Sequence, residues 1–162
     1  MRLASPARFG ALCLGLLVVG CADAPAARLV FAPLGDPDNC AASEAEIVTG
    51  TAFVWVGLRR DGVTIASACV PTDGATSWSD LEDALAHAGA IVDELPLGAP
   101  LSPYVMGLPA AVSCSDADPS GGIRFCARAD APFVIDAEDG GGTVAVQRIC
   151  PATWSTQDCF SQ

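Results

Sequence analysis

The stretch TAFVWVGLRRDGVTIASACV, residues 51–70, decides the fold, because it has the pattern of two β-strands joined by a tight turn. Residues 51–60 and 63–70 are rich in the β-branched and aromatic side chains that favour strands. Between them, Asp61-Gly62 is the preferred chemistry of a two-residue hairpin turn. The sequence therefore predicts an antiparallel hairpin here.

The turn also predicts which residues of the hairpin face each other. A two-residue loop pairs Arg60 with Val63, and a regular ladder then continues through three further pairs: Leu58 with Ile65, Val56 with Ser67, and Val54 with Cys69. Cys69 would share a face with Val54, while Phe53 and Trp55 would lie on the other. Both faces are apolar, which is typical of a central strand pair covered on both sides.

Outside the hairpin, short apolar runs separated by Asp, Gly, Ser and Pro predict further strands at residues 28–32, 101–108, 123–128, 133–135 and 143–150. Pro100 and Pro103 favour an edge position for the strand at 101–108, because proline cannot donate to a ladder. About seven short strands with turn signals at short intervals predict a mainly β fold, an antiparallel β-sandwich.

One helix is predicted, over about residues 79–89. Ser79-Asp80-Leu81-Glu82 has the pattern of a capping box, and Gly89 is a plausible stop. Apolar residues follow at helical spacing: Leu81, Ala84, Leu85 and Ala88. We expect this helix to cover the face of Phe53 and Trp55, with Trp78 as a hydrophobic staple before the cap.

The first twenty residues have the parts of a secretory signal. Arg2 and Arg8 precede an apolar run over residues 9–19, which is too short to span a bilayer as a permanent helix. The run ends in LVVGC, residues 17–21, which resembles the lipobox of bacterial lipoproteins. That resemblance implies removal of residues 1–20 and attachment of lipid to Cys21; the alternative is a non-lipidated signal with a chance Gly-Cys.

After such a cut, residues 21–27 are predicted to be a short lipidated tether and residues 28–162 a single domain. Ala22 follows the predicted lipidated cysteine, where the family's inner-membrane retention signal is an aspartate. The resemblance therefore implies anchoring in the cell outer membrane, and the side of that membrane on which the domain lies stays open.

The mature chain would be strongly acidic. All eight basic residues are arginine, and two leave with the signal, so six arginines remain against 19 acidic residues, a net charge of −13. Such a surface repels the phosphates of nucleic acids and anionic lipid headgroups. Its soluble partners are expected to be cationic: a metal ion, a basic protein or a basic peptide.

The cysteine count favours disulfides. Without Cys13 and Cys21, six cysteines remain, and an even number in an exported chain predicts three disulfides among fifteen possible pairings. Short loops favour two of these pairings, Cys114 with Cys126 and Cys150 with Cys159, which leaves Cys40 with Cys69. We expect them to be structural, since an acidic chain gives few low-pKa thiols.

The mature chain also resembles two kinds of β protein. The hairpin with Ala66-Ser67-Ala68-Cys69-Val70, the helix, Leu95-Pro96-Leu97-Gly98 and paired cysteines resemble small disulfide-bearing bacterial lipoproteins without an assigned activity. The Leu-Pro-x-Gly turn into a strand loosely resembles prealbumin-like and carboxypeptidase-regulatory-like β-sandwiches. Neither resemblance implies catalytic residues or cofactors.

Two local patterns carry possible chemistry. Asp116, Asp118 and Ser120 occupy the first, third and fifth positions of a calcium-type loop, but Ala127 stands where the bidentate glutamate belongs. A solvated acidic turn is the favoured interpretation. His87 is the only histidine, and a surface position near a helix end is favoured over a general base, because no nucleophile motif accompanies it.

The sequence thus predicts a non-enzymatic, lipid-anchored protein of the cell envelope with a binding or structural role. Trp55 is predicted to be buried, and Trp154 either packs beneath the 150–159 loop or contacts a partner. Two alternatives stay open: an inhibitor of a basic secreted enzyme, similar to lipoprotein lysozyme inhibitors, and a small hydrolase that uses carboxylates such as Asp116, Asp118 and Asp139.

Overall fold

A computed structural model describes residues 26–31, 42–87, 95–114, 118–136, 141–150 and 153–161. The strands in these ranges are β1 (Ala26–Phe31), β2 (Phe53–Arg60), β3 (Val63–Pro71), β4 (Pro100–Leu108), β5 (Phe125–Arg128), β6 (Phe133–Val134) and β7 (Gly141–Ile149). The helices are α1 (Glu44–Thr49), α2 (Trp78–His87) and α3 (Thr156–Phe160). The mainly β character is confirmed, and each predicted strand region contains a strand.

The strands form one mixed sheet and not the two packed antiparallel sheets of the predicted sandwich. Its order is β1-β7-β5-β4-β2-β3, and β6 pairs with β4 beside this path. Neighbouring strands are antiparallel except for β1, which runs parallel to β7. Because β1 begins at Ala26, it includes the last two residues of the predicted tether.

The turn of the β2–β3 hairpin is as predicted, but its register is not. Asp61 and Gly62 both have positive φ, at 51° and 79°, and Arg60 pairs with Val63. The ladder then shifts: Arg59 pairs with Thr64 and Leu58 with Ala66, which leaves Ile65 as the extra residue of a β-bulge. A one-residue slip moves every later side chain to the other face.

The bulge therefore corrects the predicted place of Cys69. This residue pairs with Trp55 and not with Val54, so it shares the face of Trp55. Thr64 lies on the same face, because it precedes the extra residue and pairs with Arg59. The face of Trp55 along β3 thus begins at Thr64 and continues through Cys69.

The two hairpin strands differ in position. β2 lies between β4 and β3, and its residues from Val54 to Leu58 are all buried. β3 is an edge strand, so the prediction of a central pair holds for β2 alone.

The prolines of β4 predicted an edge position, but β4 lies inside the sheet. On the side of β4 away from β2, pairing with β6 ends at Leu101 and pairing with β5 begins at Tyr104. Pro103 lies in the gap between them. Its missing N–H therefore interrupts no pairing on that side.

Helices cover both faces of the sheet. Leu81 and Leu85 of α2 pack with Val54, Val56 and other buried residues in one core. The opposite core contains Trp55, Tyr104, Met106 and Cys159 of α3. The expectation that residues 79–89 cover Phe53 and Trp55 is therefore wrong, since α2 covers the reverse face and α3 lies over Trp55.

The three tryptophans lie in or against these cores. Trp55 is 1 % exposed, as predicted. Trp78 is the first residue of α2, and its ring centroid is 4.8 Å from that of Phe125 and 5.2 Å from that of Phe31. Trp154 is half-buried and packs against the core of Trp55, but the disulfide loop 150–159 beneath which it was predicted to pack is not formed, because Cys159 is bonded to Cys126.

The disulfides differ from all three predicted pairings. Cys69 is bonded to Cys114, and Cys126 to Cys159. Cys150 is also disulfide-bonded, and Cys40 lies outside the described residues. The register explains the first correction, because the bulge places Cys69 on the face of Trp55, where Cys114 packs. Cys126 is buried in that same core, beneath α3.

Candidate functional site

The edge strand β3 is accessible along its whole length. None of its nine residues is buried, and Val63 and Ile65 keep 63 % and 38 % of their surface exposed. No residue from Val63 to Pro71 carries a charge. Edge strands present unpaired N–H and C=O groups that can pair with another strand.

The direction of the main-chain groups of β3 follows from one hydrogen bond beyond its end. The N–H of Thr72 donates to the carbonyl of Ala52 at 3.1 Å. Hydrogen-bonded pairs alternate along an antiparallel ladder, so Val70, Ala68 and Ala66 also turn their main-chain groups toward β2. By the same alternation the N–H and C=O groups of Ser67 and Cys69 point away from the sheet.

Two exposed carboxylates flank this edge. Asp61 precedes β3 in the hairpin turn, and Asp73 follows it in a second turn. Both have positive φ, at 51° and 46°, a conformation that asparagine and aspartate tolerate better than most residues. The β3 edge, defined here as Val63–Pro71 with Asp61 and Asp73, thus has no charged side chain along the strand and one carboxylate beyond each of its ends.

On the face of Trp55, two contacts join β3 to residues 114 and 118. Cys114 is joined to Cys69 near the end of β3. Near its start, the hydroxyl of Thr64 donates a hydrogen bond to the carboxylate of Asp118. Both contacts depend on the bulge, since without it Thr64 and Cys69 would lie on opposite faces. They support the strand without using its outward main-chain groups.

A cation and three aromatic rings join the hairpin to α3. The guanidinium carbon of Arg59 lies 3.9 Å from the ring centroid of Phe160 and 5.9 Å from that of Tyr104. The Phe160 centroid is 5.8 Å from that of Trp55 and 5.3 Å from that of Tyr104. Arg59 also donates to the carbonyl of Gly62. Attraction between a cation and aromatic faces therefore fixes the turn to the body of the domain.

Only some of the sequence-predicted site residues lie within the described ranges. Asp118 and Ser120 are exposed, while Asp116, Asp139 and Cys21 lie outside the described residues. His87 is the last residue of α2. Within the described ranges, no group of three or more His, Cys, Asp and Glu residues could hold a metal ion. The calcium loop therefore stays a prediction.

Three carboxyl groups of the described chain have a lowered pKa, and all three cap short helices: Glu46, Asp80 and Asp158. The hydroxyl and main-chain N–H of Ser43 donate to Glu46 and lower the pKa of its carboxyl.

At the start of α2, the main-chain N–H and the hydroxyl of Thr76 and the N–H of Ser77 donate to Asp80 and lower the pKa of its carboxyl. The α2 cap is thus Ser77 with Asp80, two residues before the predicted Ser79–Glu82 box.

The same arrangement orders the approach to α3. The hydroxyl and N–H of Thr153 donate to Asp158 and lower the pKa of its carboxyl. The N–H of Asp158 in turn donates to the hydroxyl of Ser155 at 3.3 Å. These shifted carboxyls are therefore explained by helix capping, and they do not mark a reacting site.

Lowering the pH from 7 to 3 should narrow the stability difference between the natural protein and Asp80→Asn. The folded pKa of Asp80 lies below its ordinary 3.8, so its ionised form stabilises the fold above that value. This contribution is lost as the pH falls through the lowered pKa. Urea unfolding followed by tryptophan fluorescence at each pH measures the difference. A gap that did not change with pH would show that charge at Asp80 plays no part in the cap.

Comparison of the chain with protein-family models, with curated proteins and with solved structures found no match. Within the described ranges, no helix is both long and apolar enough to cross a membrane. The function must therefore be argued from the site itself. What the described surface offers is main-chain hydrogen bonding and negative charge at the β3 edge, which suits binding.

Proposed function

We propose that this chain is a non-enzymatic lipoprotein, anchored by lipid on Cys21 in the outer membrane of the cell envelope, whose acidic domain binds a cationic partner. The observation that carries the proposal is the charge of the predicted mature chain, six arginines against 19 acidic residues. A negative domain attracts positive partners and speeds their encounter.

The geometry of the domain supports a binding role. Two disulfides cross-link the face of Trp55, and pre-ordered surfaces lose less entropy when they bind. The shifted carboxyls among the described residues serve helix caps. The described acidic side chains are therefore available mainly as surface charge.

Anchoring is tested by Cys21→Ser in the full-length protein. The natural protein should partition into the detergent phase of a Triton X-114 extraction, and the variant should move to the aqueous phase, because it loses the lipid attachment site. Cys13→Ser, a cysteine within the predicted signal, is the matched control and should leave partitioning unchanged. Detergent partitioning of the Cys21→Ser variant would contradict the lipid anchor.

Within this function, inhibition of a basic secreted enzyme is the second candidate, and the charge of the mature chain favours it as well. Immobilised full-length protein should retain lysozyme or a basic envelope hydrolase at low salt and release it as salt rises, because salt screens attraction between exposed charges. An activity assay of the retained enzyme then separates inhibition from simple binding. Absence of any salt-sensitive retention of basic proteins would contradict the cationic partner.

A further inference from the structure

We propose that the β3 edge is the docking strand for an extended, basic segment of a partner protein, which adds to the sheet as a further antiparallel strand. This inference rests on the proposed function, since it assigns a place and a binding mode to the cationic partner. It concerns Val63–Pro71 together with Asp61 and Asp73.

Main-chain geometry supports strand addition at this edge. By the alternation of the ladder, the N–H and C=O groups of Ser67 and Cys69 point away from β2. Outside the ladders, no backbone hydrogen bond between described residues uses them. A partner strand that pairs there gains affinity from main-chain hydrogen bonds, while side chains on alternate positions give specificity. The half-exposed Val63 and Ile65 offer apolar contact at one end of the strand.

Natural edge strands are usually protected against such pairing. Charged side chains, prolines and bulges are the common devices. β3 has a bulge at Ile65 and a proline at its last position, Pro71, but no charged residue. From Ala66 to Val70 the strand is regular, and among the described strands only β2 pairs with it. This leaves a five-residue stretch suited to a short added strand.

The flanking charges decide which occupant fits. If two copies of this chain paired antiparallel about an axis at Ser67, Asp61 of one copy would lie beside Asp73 of the other at both ends, and like charges facing each other are destabilising. A segment with arginine or lysine at its two ends would instead meet a carboxylate at each end. Arg59 and Arg60 at the Asp61 end belong to β2, one strand further into the sheet. The guanidinium of Arg59 is held between the ring of Phe160 and the carbonyl of Gly62, and the carboxylate of Asp118, bonded to Thr64, adds a second negative charge at this end.

The test uses a labelled peptide of seven alternating threonine and valine residues with two arginines at each end. Fluorescence anisotropy measures its binding to the full-length protein in detergent micelles. We expect binding to weaken about tenfold or more when alternate peptide nitrogens are methylated, because a methylated edge cannot pair. The same loss is expected when the four arginines are replaced by glutamates.

Two sets of protein variants locate the binding. Asp61→Asn with Asp73→Asn removes both flanking charges and keeps a residue type that tolerates positive φ. This double variant should weaken binding about tenfold, the equivalent of 1.4 kcal/mol. Glu44→Gln with Asp130→Asn is the matched control; it changes the net charge equally, away from β3, and should bind normally. Ser67→Pro removes an outward N–H and should also weaken binding.

Each of the following outcomes would overturn the inference. Equal binding of the methylated peptide, or equal weakening by the control pair, would mean that net charge alone attracts the peptide; the cationic-partner function would then stand without the β3 edge. A dimer in light scattering that Ser67→Pro dissociates would assign the edge to a second copy. If the arginine peptide does not bind but basic proteins are still retained at low salt, those proteins bind at a surface other than the β3 edge. If neither the peptide nor basic proteins bind, the proposed function is wrong as well.

Discussion

Removal of the disulfide between Cys126 and Cys159 should lower the free energy of unfolding by about 4 kcal/mol, the value that chain entropy gives for a loop of this length. The two cysteines are 33 residues apart in the chain, and both are fully buried. Their bond fixes the five-residue helix α3 to β5. Since a typical domain is stable by only about 5–15 kcal/mol, this loss is large.

Urea unfolding of Cys126→Ala with Cys159→Ala, followed by tryptophan fluorescence, measures the effect. The matched comparison is Cys69→Ala with Cys114→Ala. That loop spans 45 residues, so chain entropy predicts a similar loss, but its cysteines are only half-buried. A larger loss for the buried pair would report the cavity that it leaves. A loss below about 1 kcal/mol for the buried pair would contradict the entropic account.

Gly57→Ala should destabilise the protein by about 3 kcal/mol, the upper part of the usual range for overpacking a core. A Cβ atom at Gly57 would overlap the six-membered ring of Trp55. That indole cannot move aside easily, because it is 1 % exposed and packs against Phe160. Gly57 lies on β2, inside the sheet, so the backbone is also held on both sides.

Gly122→Ala is the matched control for this substitution. The nearest atom to a Cβ at Gly122 is the carbonyl oxygen of Trp154 at 3.7 Å, which is ordinary contact. Its effect should stay within about 0.5 kcal/mol, as for most surface substitutions. Near-UV circular dichroism of the Gly57 variant should also change, since the Trp55 ring loses its fixed environment. Equal stability of the two variants would show that Trp55 can repack without cost.

Local signals predicted the elements well. Asp61-Gly62 gave the correct hairpin turn, because its chemistry selects positive φ at two neighbouring residues. The short helices α1 and α3 were absent from the prediction, although Ser43 and Glu46 form a capping box and Ser155 caps α3. The capping signal was present in the sequence, but the helices that follow it are only one to two turns long. Such short helices have too few residues to show a helical period of apolar side chains.

Longer-range features were not predictable in the same way. The bulge at Ile65 has no distinctive residue to mark it, yet it moves Cys69 to the other face and with it the disulfide. Pro103 indicated an edge, but strand order depends on which distant strands pair, and here a gap between partners accommodates the proline. The β3 edge could not be recognised as a candidate site before that order was known.

The pairing of β1 with β7 also bears on when the sheet can form during synthesis. Ala26 pairs with Gly141, so nearly the whole described chain lies between the two partners. A chain made from its amino terminus must wait for its last strand before the first can pair, and such distant contacts form slowly. The hairpin of β2 and β3 can close long before that. The strand that follows the predicted anchor is therefore expected to join the sheet last.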